Sequence, residues 1–345
     1  MSEPAASASS ARSTTTRSGA RAASSAVHAL DRRGARIDWM DLLRGLAILL
    51  VILHHSTQIV SARIDEVPES LTFLSNFFAP FRMPTLMFLS GLLVATSLKR
   101  PAGTYIWGKV RRIGWPILVW TIIYVTASGG SDFAWYEPSF WATYLWFLQF
   151  IAAYYLIALL TRWVPVWAFV VLPFIGMFLL PMDSLEQRFL YLMPFFFLGA
   201  LIERYWAQYA GILSTRWAAV LAIVPIAVAV YSGVVTPLWY HPLAAVPAMV
   251  GILILVRLAS VIPEVGWLRP IRFIGKYSLI FYCVHYPVFA GLGRLAERAG
   301  VTDPLVGLVG IFTLTLLVCF GFAYVGRRLP FSLLFELPRR RSGTS

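Results

Sequence analysis

Asp41, Arg44 and His55 stand in a stretch otherwise suited to lipid, which runs from Ile37 through Leu46-Ala47-Ile48-Leu49-Leu50-Val51-Ile52-Leu53 to the pair His54-His55. Ionisable groups are costly in hydrocarbon and by default mark functional positions there. On an α-helix the eleven steps from Arg44 to His55 return to within about 20° of the same direction, and Asp41 lies one turn before Arg44 on that face. His54 points about 80° away from Arg44, so the spacing selects His55 as the imidazole of the stripe. The rise from Arg44 to His55 is about 16 Å, near half of a hydrocarbon core of roughly 30 Å. An imidazole there, with an ordinary pKa of about 6.5, suits the abstraction of a hydroxyl proton at neutral pH. A second reading stays open: Arg44 snorkels to the headgroups, Asp41 neutralises it, and His55 is an interhelical hydrogen-bonding residue.

Other polar groups fall at similar depth in distant apolar segments: His285 before Pro287, Arg82 beside Pro84, and Trp146 with Gln149. Their predicted roles are substrate contacts, His285 either holding an acceptor or stabilising an oxyanion, against a structural role beside its proline. Ser90-Gly91 reads as a close-packing pair rather than a nucleophile. Cys283 and Cys319 fall inside apolar segments and give no disulfide framework and no metal site. There is no phosphate-binding glycine loop, no His-Glu-x-x-His pair and no Gly-x-Ser-x-Gly elbow.

These residues need membrane helices to position them. The chain has 345 residues, 59% of them hydrophobic and 13% charged, which is far more apolar than a soluble domain. The expected fold is an all-α integral membrane protein of about ten transmembrane helices, near 38–59, 72–98, 109–128, 140–161, 163–181, 188–206, 216–235, 241–262, 272–294 and 304–326, with the second and ninth open to bends. Residues 1–35, rich in Ser, Ala, Thr and Arg, read as a disordered cytoplasmic tail without the apolar centre of a signal peptide. Residues 36–328 form the membrane domain, and 329–345 a short basic cytoplasmic tail. Catalysis is therefore expected within the membrane.

The net charge of +13 does not point to nucleic acid, because the cations are spread among loops where topology accounts for them. With a cytoplasmic N-terminus, 23 of the 29 Lys and Arg residues face inward. Arg63, Arg188, Arg294 and Arg298 face outward, and Arg44 and Arg82 lie within the membrane. The positive-inside rule then puts both termini in the cytoplasm. Trp135, Tyr136, Trp239 and Tyr240 fit an outer aromatic belt.

The segment Asp41-Leu42-Leu43-Arg44-Gly45-Leu46-Ala47 with His55 resembles the first-helix signature of the acyltransferase-3 family of integral-membrane acyltransferases. Phe81-Arg82-Met83-Pro84 with Phe88-Leu89-Ser90-Gly91 is similar to its second-helix motif, and Lys109-Val110-Arg111-Arg112-Ile113-Gly114-Trp115-Pro116 to its basic third-helix entry. Leu145-Trp146-Phe147-Leu148, Pro194-Phe195-Phe196-Phe197-Leu198-Gly199 and Ile274-Gly275-Lys276-Tyr277-Ser278-Leu279 with Tyr282-Cys283-Val284-His285-Tyr286-Pro287 resemble later motifs. The chain departs from the pattern twice. Ile151 and Ala152 stand where one branch has a Glu pair, and Arg82 stands where a His often precedes Met-Pro. The carboxylate that would orient the catalytic imidazole is thus unidentified.

The resemblance implies transfer of an acyl group, acetyl before succinyl, from cytoplasmic acyl-CoA (acetyl-CoA) to a hydroxyl of an extracytoplasmic glycan or glycolipid at the cell membrane, with no metal. Lys109, Arg111 and Arg112 are the expected donor-binding cations, with Arg44 guiding the donor arm; the same cluster also reads as a plain inner-face anchor. His55 is the expected general base, aided by Arg44 and His285, with Arg82, Trp146 and Gln149 on the substrate. A covalent acyl-histidine is the second mechanistic variant. The rival functions are a transporter of a glycan, lipid or small solute using the same polar seam, and a noncatalytic scaffold.

Overall fold

The structure is a computed structural model that describes residues 38–127, 143–206, 208–209, 215–263 and 265–338. The expected N-terminal tail, Trp135, Tyr136 and Arg339 to Arg341 lie outside the described residues. Among the described residues the chain is helical with no strands, and seven helices are long and apolar enough to cross a membrane. It is an all-α, multi-pass membrane protein.

Helix α1 is Asp38–Arg63, unbroken over 26 residues. The second apolar segment is broken by turns over 78–81, where Pro80 has no N–H to continue the helical ladder. It splits into α2 (Glu69–Phe77), α3 (Arg82–Gly91) and α4 (Val94–Leu98). The expected bend is therefore a turn over 78–81, and it aims Ser75 and Arg82 at one another across the break.

The third apolar segment is α5 (Ala102–Lys109), a π-helical turn (Val110–Gly114) and α6 (Trp115–Ala127). The fourth is α7 (Trp146–Leu160) and the fifth α8 (Ala168–Gly176), both shorter than a full crossing. These three expected spans are helical but fall outside the seven. The expected fifth span, 163–181, has turns on both sides of α8. Next come α9 (Leu185–Arg204), α10 (Thr215–Leu221), α11 (Ile223–Val234), α12 (Ala245–Ala259), α13 (Arg269–Lys276), α14 (Ser278–Arg298) and α15 (Pro304–Val325).

Side-chain caps mark the starts of two of the long helices. Ser184 accepts from the Gln187 N–H at the start of α9, and Asp303 accepts from Leu305 and Val306 at the start of α15, with Pro304 at the first helical position.

Small residues let the helices that carry the site touch backbone to backbone. A Cβ on Gly91 would overlap the Phe196 carbonyl oxygen, and one on Gly199 the Phe88 carbonyl oxygen, so α3 and α9 cross at glycine on both sides. Gly45 and Gly275 do the same for α1 and α13, against the carbonyls of Ile271 and Asp41. Ser90 belongs to this packing: its hydroxyl donates to the Leu86 carbonyl one turn back at 2.8 Å.

The described part of the segment after α15 packs on the helical body. A 3₁₀ turn, Phe331–Leu334, lies along α6, and the indoles of Trp115 and Trp120 donate to the carbonyls of Leu333 and Leu334 at 2.6 and 3.0 Å. Phe335 is buried against Trp120. Residues 329–338 are docked on the helical body rather than free, because this stretch carries its own apolar anchors.

Candidate active site

A cavity of about 230 Å³ opens between α1, the break before α3, the start of α7, the start of α9, the loop before α12 and the middle of α14. His55, His285, Arg82 and Trp146 all line it, as do His54, Gln58, Tyr144, Arg188, Trp239 and Tyr240. Four of the expected site residues, from segments up to 230 positions apart in sequence, therefore converge. Gln149 is not among the lining residues.

His55 and His285 lie with ring centroids 5.5 Å apart, and His55 stacks on Phe289 at 5.5 Å with an interplanar angle of 10°. His55 Nδ1 meets Gln58 Oε1 at 3.0 Å. The amide oxygen accepts only, so Nδ1 carries the proton and the Nε2 lone pair is free. His285 Nδ1 meets the carbonyls of Tyr282 and Phe281 at 2.8 and 3.1 Å, which fixes the same tautomer. Its Nε2 is buried without a hydrogen-bond partner among the described residues. Two imidazoles thus present basic nitrogens in one cavity.

The partner that orients His55 is an amide oxygen, Gln58, and not a carboxylate. Spacing alone identifies it as a neighbour, since residue i+3 shares the helix face. An expectation framed as a carboxylate passes over a neutral acceptor on the same helix.

His54 also lines the cavity, contrary to the reading that its 80° offset turns it away. A cavity that wraps the helix receives neighbouring residues from a wider arc than a single stripe. His54 Nδ1 lies 2.9 Å from Ser75 Oγ, and Arg82 Nη1 donates to that oxygen and to the Ser75 carbonyl, both at 3.3 Å. The proline break before α3 makes this Arg82–Ser75–His54 link.

Pro287 shapes the other wall. Lacking an N–H, it leaves the Cys283 carbonyl, four residues earlier, without its helical donor. The Tyr144 hydroxyl fills that position at 2.6 Å, and the Tyr282 hydroxyl donates back to the Tyr144 carbonyl at 2.8 Å. The reciprocal pair fastens the entry of α7 to α14 beside His285.

Tyr240 is held with φ of 53°, a left-handed conformation that a side chain disfavours. Fully buried Gln187 holds it there by donating to its carbonyl at 2.7 Å. Arg188 lies over the Tyr240 ring at 5.3 Å. Burial pushes the Tyr240 phenol up to about 12 despite the opposing pull of Arg82 and Arg188, so it stays neutral.

The expected donor-binding cations separate. Lys109 and Arg112 line a second cavity, of about 350 Å³, together with Arg100, Ser97, Tyr105 and Tyr155. The Lys109 ammonium sits 3.2 Å from the Tyr155 ring centroid, a cation–π contact, and donates to Ser97 Oγ at 3.3 Å. Arg111 does not line this cavity. It is buried, paired with Glu336 at 2.7 Å and donating to the Leu337 carbonyl at 3.1 Å. Arg112 shares Glu336 at 3.0 Å. The π-turn sends Arg111 towards the docked C-terminal segment and Arg112 towards the pocket edge.

Arg44 lines neither cavity. It pairs with Asp41 at 3.6 Å, as the helical spacing predicts, and lies within electrostatic reach of Tyr155 on the basic pocket's wall.

The structure is thus a polytopic helical membrane protein with two imidazoles lining one cavity. A family model described as an acyltransferase domain matches residues 37–324, and the chain belongs to that family, acyltransferase 3. It is a membrane acyltransferase. No curated protein and no solved structure matches the chain.

Proposed function

We propose that the protein is an O-acyltransferase of the cell membrane, with both termini cytoplasmic, that moves an acetyl group from acyl-CoA on the inner side to a hydroxyl of an extracytoplasmic glycan or glycolipid. The carrying observation is the pair His55 and His285, whose Nε2 atoms are left free by the bonds their Nδ1 atoms make.

His55 Nε2 takes the acceptor hydroxyl proton, the acceptor oxygen forms the new bond to the thioester carbonyl carbon, and the carbon–sulfur bond breaks with coenzyme A leaving as thiolate. Gln58 holds the His55 ring and favours the imidazolium once it forms. His285, with no N–H turned to the cavity, is suited to accept a hydrogen bond from the acceptor; a neutral imidazole in this tautomer does not donate to an oxyanion. On the inner side, Lys109, Arg100 and Arg112 supply the cationic surface that a polyanionic donor requires, with Arg44 between them and the first-helix seam. Arg111, spent on Glu336, is left out of that set.

The test is coenzyme A release from acetyl-CoA by the full-length protein in membranes, with and without a crude surface-glycan fraction. Release that needs the glycan supports transfer. Passage of solute without release makes the protein a transporter, and acyl-enzyme formed without acceptor replaces direct transfer by the acyl-histidine route.

A further inference from the structure

The cavity at His55 has two chemically different ends. One end offers lone pairs, on His55 and His285. The other offers donors with N–H groups left over. Arg82 is 6% exposed and, among the described residues, uses only Nη1, on Ser75, out of a guanidinium with five N–H bonds. Arg188 Nε and Trp239 Nε1 are buried without a hydrogen-bond partner among the described residues. Among the described residues no Asp or Glu lines the cavity and neither guanidinium has a salt bridge. Tyr240, within electrostatic reach of both, is a neutral phenol and no counter-ion.

Two cations held in a largely enclosed space without a carboxylate are unfavourable unless an anion joins them. Paired guanidiniums with an indole N–H match a carboxylate or phosphate in geometry and charge.

We propose that Arg82, Arg188 and Trp239 form an anion subsite, and that the acceptor delivered to His55 is acidic, bearing a carboxylate or phosphate beside the hydroxyl that is acylated. The inference rests on the acyl-transfer reading. It assigns the anion to the acceptor because Arg188 lies in the first turn of α9 and Trp239 in the loop before α12. Both are outward ends in the topology that the loop charges favour, and the basic pocket proposed for the donor lies at inward ends.

Tandem mass spectrometry of envelope glycans and glycolipids, from cells with and without the full-length protein, tests this. The acylated species lost with the protein is expected to carry a uronate or a phosphate, and phosphate loss on fragmentation tells the two apart. A neutral acylated species overturns the acidic acceptor and leaves acyl transfer standing. If no acylated species is lost, acyl transfer falls and the subsite with it.

With that species as substrate and membranes holding the full chain, Arg188→Gln is expected to raise the acceptor KM by about 10- to 100-fold with little change in kcat, and Arg188→Lys to recover part of it. Trp239→Phe, which removes the indole N–H and trims the ring system while keeping an aromatic wall, is expected to raise KM by about 3- to 10-fold. A fall in kcat at unchanged KM in both variants places these donors on the reacting oxyanion and overturns the subsite.

Discussion

The histidine cavity and the basic pocket are both openings with polar groups in an apolar body, and they are built in opposite ways. The pocket comes almost wholly from one stretch, Leu93 to Ile113, closed by Tyr155 from α7. Two of its three cations are already occupied: Lys109 by an aromatic face and a hydroxyl, Arg112 by Glu336. The cavity takes residues from six separated segments, and several of its polar atoms are buried with no partner among the described residues. A docking surface for a charged ligand tolerates partners that exchange with water, since its energy is largely electrostatic. A reacting centre needs atoms whose hydrogen-bonding capacity has been kept in reserve, and only a rigid enclosure can hold such atoms against their desolvation.

The most severe test of that enclosure is Gly91→Val. The new side chain meets backbone at the crossing of α3 and α9, and folded protein recovered from membranes is expected to fall to a small fraction of wild type. Recovery at the wild-type level means the crossing does not set the cavity.

Loss of the base comes next. His55→Ala is expected to lower transfer by roughly 100-fold or more at unchanged protein level, and near-normal turnover removes His55 from the chemistry. His54→Ala, which breaks the link to Ser75 and the ring contact with Trp239, is expected to cost less. Equal losses in the two variants erase the distinction drawn between adjacent imidazoles.

Gln58→Ala tests orientation without touching the base. A decrease in kcat of about 10-fold is expected, with acceptor KM nearly unchanged, and Gln58→Glu should restore much of the rate because its oxygen accepts the same proton. The smallest effect belongs to the basic pocket. Lys109→Ala is expected to raise the donor KM by about 3- to 10-fold, an effect that shrinks as salt is added. A kcat loss there as large as that of His55→Ala dissolves the division between docking and reaction.

Much of this architecture is legible in the amino-acid sequence. The helical class, the Asp41–Arg44 pair and the break at the second segment follow from local rules: apolar length, one-turn spacing, and the geometry of proline. The angle along one helix puts His55 on the face of Arg44, but it does not separate the two imidazoles at the cavity, which His54 and His55 both line. Gln58 is equally available from that arithmetic, and only the preference for a charged partner over a neutral oxygen hides it.

The arrangement across helices is decided by the tertiary structure. Nothing local sends Arg111 to Glu336, more than two hundred positions away, or turns Arg188 and Trp239 into the chamber that holds His55 and His285. Those outcomes depend on where glycines allow backbones to meet and where a proline leaves a carbonyl for Tyr144 to claim. A sequence states which groups a helix carries on each face. Which faces end up opposed is settled by packing, because the energy that opposes them is spread over contacts between segments that no short pattern contains.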